Sequence, residues 1–355
     1  MAAMVIVNTP GDWSHVYPPL LHAEWHGWTP TDLIFPFFVF IVGVSIVLSS
    51  RRQAAVAVIM RRAALLYLLG LFLALYPSFT FGTVRLVGVL PRLAICYLAA
   101  ALIFRTVASQ PDPVRWRVTL GAAGVLLVAY WALLRFVPPP GGIAGDLSPS
   151  GNLGAWIDRT VIGEAHLWRQ SKTWDPEGLL STLPAIATAL TGVAAGVLLR
   201  SSRSSFDKAL WLVAAAAIGI AAGLGWGARF PINKNLWTSS YVLFTSGLAC
   251  LLLAVSFWLV DGSDRARAWT RPLVVLGMNA LALFVLSGLL VKTLIWIKVA
   301  GPAGAPQSLY TWIYQHGFAP LASPRLASLL FAFAALLVLY GILEVLYRRR
   351  WFLRV

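Results

Sequence analysis

The chain has 355 residues, of which 59% are hydrophobic and 12% are charged, and its mean hydropathy is +0.77. A soluble protein carries about twice this charged fraction, so the composition excludes a soluble domain with one anchor and favours a polytopic helical membrane protein in contact with lipid. The net charge of +15 does not predict a nucleic-acid partner, because the Lys and Arg residues lie in short clusters between apolar runs.

The chain opens with a short apolar segment, MAAMVIVN. Eight residues reach about 12 Å as a helix, far short of a bilayer core of about 30 Å, so this first, incomplete span is either the latter part of a helix that starts upstream or an unusually short helix. Nine longer apolar runs follow: 31–49, 63–79, 88–107, 118–137, 179–199, 209–227, 238–260, 272–297 and 324–347. The pattern predicts an all-α transmembrane bundle of about ten spans, forming one domain over residues 1–355.

Charge distribution predicts the orientation of these spans. More than half of the 28 Lys and Arg residues fall at alternate loops, which the positive-inside rule assigns to the cytoplasm together with the C-terminus. The loop before span 31–49, the long loop 138–178 and the loops 228–237 and 298–323 then face outward. Within 138–178 we expect a turn-rich stretch followed by a short interfacial helix and an ordered turn.

The loop before span 31–49 combines three histidines, His15, His22 and His26, with acidic residues that include Glu24. Titratable groups are costly at a membrane boundary, so this loop is a candidate functional site. His22 and His26 have a spacing that can chelate zinc, but the HExxH pattern is absent and no metal is predicted. A histidine that acts as a base or an acyl carrier is the favoured interpretation, and an interfacial hydrogen-bonding role is the alternative.

Two candidates lie near the starts of predicted spans. Asp32 suits either a helix N-terminal cap or a group that orients a histidine, and both interpretations stay open. Arg92 lies within an apolar run, so we expect it to point inward toward an acid or a bound anion.

Three further tracts carry polar groups beside apolar runs. Asp175 and Glu177, in the sequence WDPEGLL, suit helix capping or a polar site. The tract FPINKNLW places Asn233, Lys234 and Asn235 beside aromatic residues, which suits sugar recognition. Asn279 is a lone amide in a predicted span and could hydrogen-bond between helices.

Five segments in this order resemble the heparan-α-glucosaminide N-acetyltransferase family along nearly the whole chain. They are NTPGDWSHVYPPLLHAEWHGWTPTDLIFPFFVFIVG, GVLPRLAICYL, WDPEGLLSTLPAIATALTGVAAG, PINKNLWTSSYVL and PLVVLGMNALALFV. The chain looks like a bacterial member without the extra lumenal domain, located in the inner membrane. The resemblance implies a transmembrane enzyme that moves an acetyl group from acetyl-CoA, a co-substrate, to the amine of a glucosamine-type sugar.

The resemblance also implies residue roles. The family's catalytic histidine corresponds to His22, its asparagine near the end of the first span to Asn8, and the acid of its DLxFP motif to Asp32. Asn8 would hydrogen-bond the developing oxyanion, and Asp32 or Glu24 would fix the imidazole tautomer. The expected substrate-binding residues are Glu24, Arg92, Asp175, Glu177, Asn233, Lys234 and Asn235.

Two other classes of function remain open at this stage. An amino-sugar transporter shares the architecture, although no inverted repeat is visible and the polar groups cluster near one membrane boundary. A membrane scaffold would leave the histidine loop unexplained. Small-residue faces such as LTGVAAG also allow packing between chains, so a homo-oligomer is possible.

Overall fold

A computed structural model describes residues 1–49, 55–260, 269–301 and 305–353. Its helices are α1 (Ala2–Asn8), α2 (Ile34–Leu48), α3 (Val56–Leu75), α4 (Val89–Val107), α5 (Asp112–Phe136), α6 (Leu153–Val161), α7 (Thr182–Arg200), α8 (Ser205–Gly227), α9 (Ser239–Val260), α10 (Arg271–Met278), α11 (Ala280–Trp296), α12 (Leu309–Gly317) and α13 (Pro324–Arg348). One antiparallel hairpin, β1 (Lys298–Ala300) with β2 (Pro306–Ser308), joins α11 to α12.

The helices confirm the predicted all-α membrane bundle. Within the described ranges, eight are long and apolar enough to cross a membrane: α2, preceded by the turn Pro30–Leu33, and α3, α4, α5, α7, α8, α9 and α13. The pair α10 and α11 forms a ninth candidate. The protein is therefore a multi-pass membrane protein.

The predicted continuous span 272–297 was wrong, because α10 and α11 meet at 78°. Asn279 lies at the break with non-helical backbone angles. Its side-chain amide donates to the carbonyl of Trp351 at 3.1 Å and accepts from the Leu353 N–H at 3.1 Å. The amide that was predicted to hydrogen-bond between helices therefore binds backbone groups of the segment after α13.

The short first helix packs inside the bundle. α1 has seven residues, too few to cross a membrane, as expected. Its Met4 and Val5 are buried in a cluster with Leu339 and Leu343 of α13. This contact places Asn8 at the end of the bundle where α2, α4, α7 and α9 begin, which we call the polar end.

α7 is the most buried span and forms the centre of the bundle. Glycines allow α2 to cross it closely, because a Cβ on Gly43 would lie 1.9 Å from the Ala189 carbonyl oxygen. A Cβ on Gly192 would meet the Phe40 carbonyl oxygen at the same distance. Close backbone approach through small residues is the usual way membrane helices pack.

The loops at the polar end are ordered. Loop 138–178 contains α6 and the short helical turn Glu164–His166, as predicted. Trp25 of the histidine loop donates from its indole to the carbonyl of Leu147 at 2.8 Å and contacts the ring of Trp174 edge-on. The long loop therefore supports the histidine loop.

Candidate active site

His22 and Asp32 form the central pair of the site. The His22 Nδ1 atom lies 2.6 Å from Asp32 Oδ1. Asp32 is buried, whereas half of the His22 side chain is exposed. In the neutral imidazole, a hydrogen bond from Nδ1–H to the carboxylate leaves Nε2 as the unprotonated nitrogen, which can accept a proton or attack a carbonyl.

The second oxygen of Asp32 holds the histidine loop in place. Asp32 Oδ2 accepts from the N–H groups of Ala23 and Thr29, each at 3.0 Å, and from the Thr29 hydroxyl at 3.1 Å. Thr29 and Asp32 form a capping box at the turn before α2. Asp32 therefore makes the contacts that both sequence interpretations require, because one oxygen contacts the histidine and the other forms the cap.

The segment between α8 and α9 docks against the histidine loop. The Gly27 N–H donates to the carbonyl of Ile232 at 2.8 Å, and the Asn233 side chain lies 3.3 Å from His26 Nδ1. Asn233 is buried, and its Oδ1 accepts from the Leu236 N–H at 2.8 Å. In this structure Asn233 therefore organises the turn, whereas Asn235 is half-buried.

This docking brings Lys234 against His22. The Lys234 ammonium lies 3.1 Å from His22 Nδ1, 3.4 Å from Nε2 and 3.7 Å from Asp32 Oδ1. Burial lowers the pKa of Lys234, although the carboxylates of Asp32 and Glu177 oppose this shift. A cation at this position can stabilise negative charge that develops on a group reacting at Nε2.

Asp175 and Glu177 share one cation, which the sequence analysis did not select. Arg85 Nε donates to Asp175 Oδ2 at 2.8 Å, and Arg85 Nη2 donates to both Asp175 Oδ1 and Glu177 Oε2. Burial alone would raise the pKa of Glu177, but the charges of Arg85, Arg92 and Lys234 lower it. Glu177 therefore links the arginines to the cation beside His22.

Arg92 was expected to face an acid or a bound anion, and its direct partners are different. Its Nη2 donates to the carbonyl of Gly178 at 3.0 Å and to the Ser181 hydroxyl, and its guanidinium lies 5.1 Å from the Trp237 ring centre. Arg92 is buried, and its Nε and Nη1 have no hydrogen-bond partner among the described residues. Arg85, in the loop before α4, forms the ion pairs with Asp175 and Glu177 instead.

Asp158, on α6, is a buried acid that the sequence analysis did not single out. Its Oδ1 accepts from the Leu179 N–H at 2.8 Å, and a Cβ on Gly178 would lie 2.0 Å from its Oδ2. Burial raises the pKa of Asp158 to about 6, and the charge of Asp175 adds to this while Arg92 opposes it. Asp158 lies between Ile157 and Arg159 in the sequence WIDRTV, and a single acid in this setting matches no motif that carries chemistry.

The remaining candidates lie away from this pair. Glu24 is exposed, and the hydrogen bond to His22 comes from Asp32. Asn8 is exposed at the end of α1 and lines a cavity of about 840 Å³ that also contains Arg85. No hydrogen bond joins Asn8 to His22 among the described residues, and the oxyanion role of Asn8 stays a prediction.

The charged groups of the site do not form a metal centre within the described part of the chain. No group of three or more His, Cys, Asp or Glu side chains in these ranges is arranged to hold a metal ion. His15 pairs with Asp12 at 2.7 Å in an exposed position, and His26 contacts Asn233. The three histidines therefore have three separate partners.

The chain is similar to known proteins over the segment that carries the histidine loop. Residues 1–136 match the family model "Heparan-alpha-glucosaminide N-acetyltransferase, catalytic". The protein of this name from Mus musculus is 30% identical over 348 aligned positions, covering 80% of this chain and 51% of the relative. The chain is similar to the heparan-α-glucosaminide N-acetyltransferases.

A second relative gives the same result. The heparan-α-glucosaminide N-acetyltransferase of Homo sapiens is 29% identical over 347 positions, covering 79% of this chain and 50% of the relative. The chain thus spans about half the length of the curated relatives it matches. The family model covers the histidine loop, Asp32, Arg85 and Arg92, so the resemblance predicted from the sequence is confirmed in the segment that carries His22.

Proposed function

We propose that this protein is an acetyl-CoA-dependent N-acetyltransferase that acetylates the amine of a glucosamine-type sugar, with His22 as its catalytic residue. The observation that carries the proposal is the pair formed by half-exposed His22 and buried Asp32, within a segment similar to enzymes named for this reaction. A buried carboxylate that fixes one imidazole nitrogen leaves the other free to react, as in triads that catalyse acyl transfer.

Two reaction routes are compatible with this pair. In the first, His22 Nε2 attacks the thioester carbonyl, the C–S bond breaks, and the CoA thiolate leaves and is protonated. The sugar amine then attacks the acetyl-imidazole, the bond to Nε2 breaks, and the freed Nε2 takes up the proton that the amine loses. In the second, Nε2 accepts the amine proton while the amine attacks the thioester carbonyl of acetyl-CoA directly; the C–S bond then breaks, and the CoA thiolate leaves and is protonated.

Lys234 has a role in both routes. Its ammonium lies 3.4 Å from His22 Nε2, so a carbonyl that reacts at Nε2 lies within reach of a positive charge. Preorganised cations and donors at a developing oxyanion supply much of the catalysis in acyl transfer. We assign oxyanion stabilisation to Lys234, with Asn8 as the second expected donor.

The other polar residues bind substrate in this proposal. Asn235 and Glu24 are accessible to an acceptor sugar. The wall of the proposed sugar site is formed by the ion-paired Asp175 and Glu177 and by the buried Arg92. Asn233 holds the turn that presents Lys234.

The proposed setting is the bacterial inner membrane, with the polar end outward and the C-terminus in the cytoplasm. More than half of the Lys and Arg residues belong to the alternate loops of the sequence that the positive-inside rule assigns to the cytoplasm, and the polar end carries the other set of loops. The phosphates of acetyl-CoA would bind these basic inner loops, and the acetyl group would reach His22 from between the helices.

The test is acetyl transfer by the purified protein in liposomes, with acetyl-CoA and a panel of amino sugars. We expect free CoA thiol and N-acetylated sugar in equal amounts. His22→Ala should lower kcat by about 10²- to 10⁴-fold, the usual contribution of a general base. His15→Ala is the matched control, because His15 forms an exposed pair with Asp12 in the same loop.

The outcomes separate the competing interpretations. Sugar uptake without thiol release would indicate a transporter. Full activity of His22→Ala would refute the assignment of His22. Radiolabelled acetyl-protein that accumulates in the wild type and disappears in His22→Ala would select the covalent route.

A further inference from the structure

An exposed arginine contacts two tryptophans at the end of the bundle opposite the polar end. Arg203 lies in the short loop between α7 and α8. Its guanidinium carbon is 5.8 Å from the ring centre of Trp116, on α5, and 5.4 Å from that of Trp211, on α8. Both tryptophans lie within about two turns of the first residue of their helix, which places them near the membrane boundary at this end.

Arg203 has no acidic partner in the part of the chain that the structure describes. Asp207 is the acid nearest to it in sequence, and its carboxylate accepts instead from the Ser204 hydroxyl at 2.7 Å. Cation–π contacts leave the N–H groups of a guanidinium available to a hydrogen-bond acceptor. Lys208 adds a second cation, because it lies three residues before Trp211 and therefore on the same face of α8. Its ammonium also has no acidic partner in the described ranges, so this surface attracts an anion.

The lipid-facing surface between α5 and α8 forms an apolar groove. At its far end Trp131 of α5 contacts Trp226 of α8, with ring centres 6.2 Å apart. About four helical turns, or about 22 Å, separate this contact from the tryptophans at Arg203. A Cβ on Gly124 would meet no atom within 4 Å, so the surface is open there. Residues at helical spacing between the two contacts are small or exposed: Leu120 and Gly124 on α5, and Ala215, Ile218 and Ala222 on α8.

We propose that this groove binds an anionic phospholipid, with Arg203 and Lys208 as the ligands of its headgroup phosphate and an acyl chain between α5 and α8. Arg and Lys side chains at a membrane boundary bind lipid phosphates, and tryptophans lie at the level of the headgroups. The groove is longer than one leaflet of the hydrocarbon core, about 15 Å, so it accommodates an acyl chain along its length. The groove lies at the end of the bundle away from His22, and the inference is independent of the proposed function.

Charge and apolar surface together favour this lipid over other anions. A soluble phosphate compound would pair with the cations but leave the exposed Leu120 and Ile218 uncovered. A zwitterionic lipid would cover these residues, but its own positive group would oppose binding beside Arg203 and Lys208. A phospholipid with a net negative charge satisfies both parts of the groove.

The test is native mass spectrometry of the purified protein in detergent, with phosphatidylglycerol or phosphatidylcholine added. The variant Arg203→Gln/Lys208→Gln removes both cations. Gly124→Leu keeps the charges and fills the groove at a position where a Cβ meets no atom. Arg61→Gln/Arg62→Gln is the matched control, because it removes the same charge from α3, at the same end of the bundle but on neither helix of the groove.

We expect the wild type to bind one phosphatidylglycerol with a Kd at least about tenfold lower than that of phosphatidylcholine. Arg203→Gln/Lys208→Gln should raise the Kd of phosphatidylglycerol about tenfold, because the phosphate loses its charged ligands. Gly124→Leu should raise the Kd of both lipids about threefold or more, because its side chain competes with the acyl chain. The control should keep the Kd of phosphatidylglycerol within about twofold of the wild-type value.

Equal losses in Arg203→Gln/Lys208→Gln and in the control would overturn the inference, because binding would then depend on net charge alone. Unchanged Kd values in the charge variant or in Gly124→Leu would also overturn it. If the charge variant unfolds in a thermal melt, the single changes Arg203→Gln and Lys208→Gln replace it, and each should raise the Kd of phosphatidylglycerol.

Two other occupants of the groove would give different results. If Arg203→Gln/Lys208→Gln weakens the binding of acetyl-CoA but not of phosphatidylglycerol, the cations bind the donor phosphates and the inference fails. If Gly124→Leu removes a dimer from the mass spectrum but leaves lipid binding unchanged, the groove is an interface between two copies of the chain, and the inference also fails.

Discussion

Asp32 divides its two carboxylate oxygens between two functions. One oxygen contacts His22, and the other accepts from Ala23 and from both donors of Thr29. The Tyr241 hydroxyl also donates to the Asp32 carbonyl at 2.5 Å. Because hydrogen bonds hold both the carboxylate and the backbone of Asp32, we expect it to keep the imidazole in one orientation and one tautomer.

Replacement of Asp32 by Asn should therefore impair catalysis more than binding. If the Asn oxygen keeps the bonds to the loop, its NH₂ faces His22 Nδ1 and forces the proton onto Nε2. We expect kcat to fall by about 10²- to 10⁴-fold, with little change in KM for either substrate.

Asp12→Asn provides the control for this variant. Asp12 contacts His15 at 2.7 Å, so it forms a second His–Asp pair in the same loop, but an exposed one. Asp12→Asn should retain kcat within about twofold, since exposed pairs contribute little. Equal kcat values for the two variants, at equal thermal stability, would contradict the positioning role of Asp32.

At the scale of elements, α6 supports the turn that carries Asp175 and Glu177. Asp158 on α6 accepts from the Leu179 N–H, directly after that turn, and lies against Gly178. The Gly178 carbonyl in turn accepts from Arg92. Asp158 of α6 and Arg92 of α4 therefore both contact Gly178.

Asp158 should give the protein a measurable pH dependence of stability. Its pKa is raised from 3.8 to about 6 in the folded protein, so between these values the folded state binds the proton more tightly than the unfolded state. This contribution to stability is therefore largest at low pH, falls as pH rises from about 4 to about 6, and is lost above that. The difference between the two pKa values corresponds to at most about 3 kcal/mol in the free energy of unfolding.

Thermal unfolding in detergent at pH 5.0 and pH 7.5 tests this prediction with Asp158→Asn. An Asn oxygen can still accept from Leu179, but it does not titrate. The wild type should gain more stability on acidification than the variant does. The same pH response in both proteins would show that Asp158 is not the titrating group.

The sequence predicted elements far better than contacts between them. Apolar runs located every long span, because membrane helices must be apolar over their length. The break at Asn279 was missed because its cause, pairing with backbone near Trp351, lies 72 residues along the chain. Arg85 was missed for the same reason, since its acidic partners follow it by 90 and 92 residues.

The site was predictable in its parts but not in its assembly. Residue type, local spacing and family resemblance singled out His22 and Asp32. The position of Lys234 beside His22 depends on the docking of Gly27 onto Ile232. That contact joins two loops through backbone groups, which every residue carries, so the sequence holds no specific signal for it.

At the scale of the whole molecule, every part of the proposed reaction depends on the orientation of the bundle. The polar end carries His22, the cavity lined by Asn8 and the long loop 138–178, whereas most basic clusters of the sequence fall in the alternate set of loops. If the positive-inside rule holds here, acceptor sugars reach the polar end from outside the cell.

Single cysteines can determine this orientation. Cys96 and Cys250 are buried, so a background with both changed to Ala supplies a protein without native thiols. Ser150→Cys lies in the long loop at the polar end, and Ser202→Cys lies between α7 and α8 at the other end; both positions are exposed. We expect a membrane-impermeant maleimide to label Ser150→Cys in intact cells, and Ser202→Cys only after the membrane is permeabilised. The reverse pattern would place His22 at the cytoplasmic face, and the acceptor would then be a cytoplasmic amino sugar.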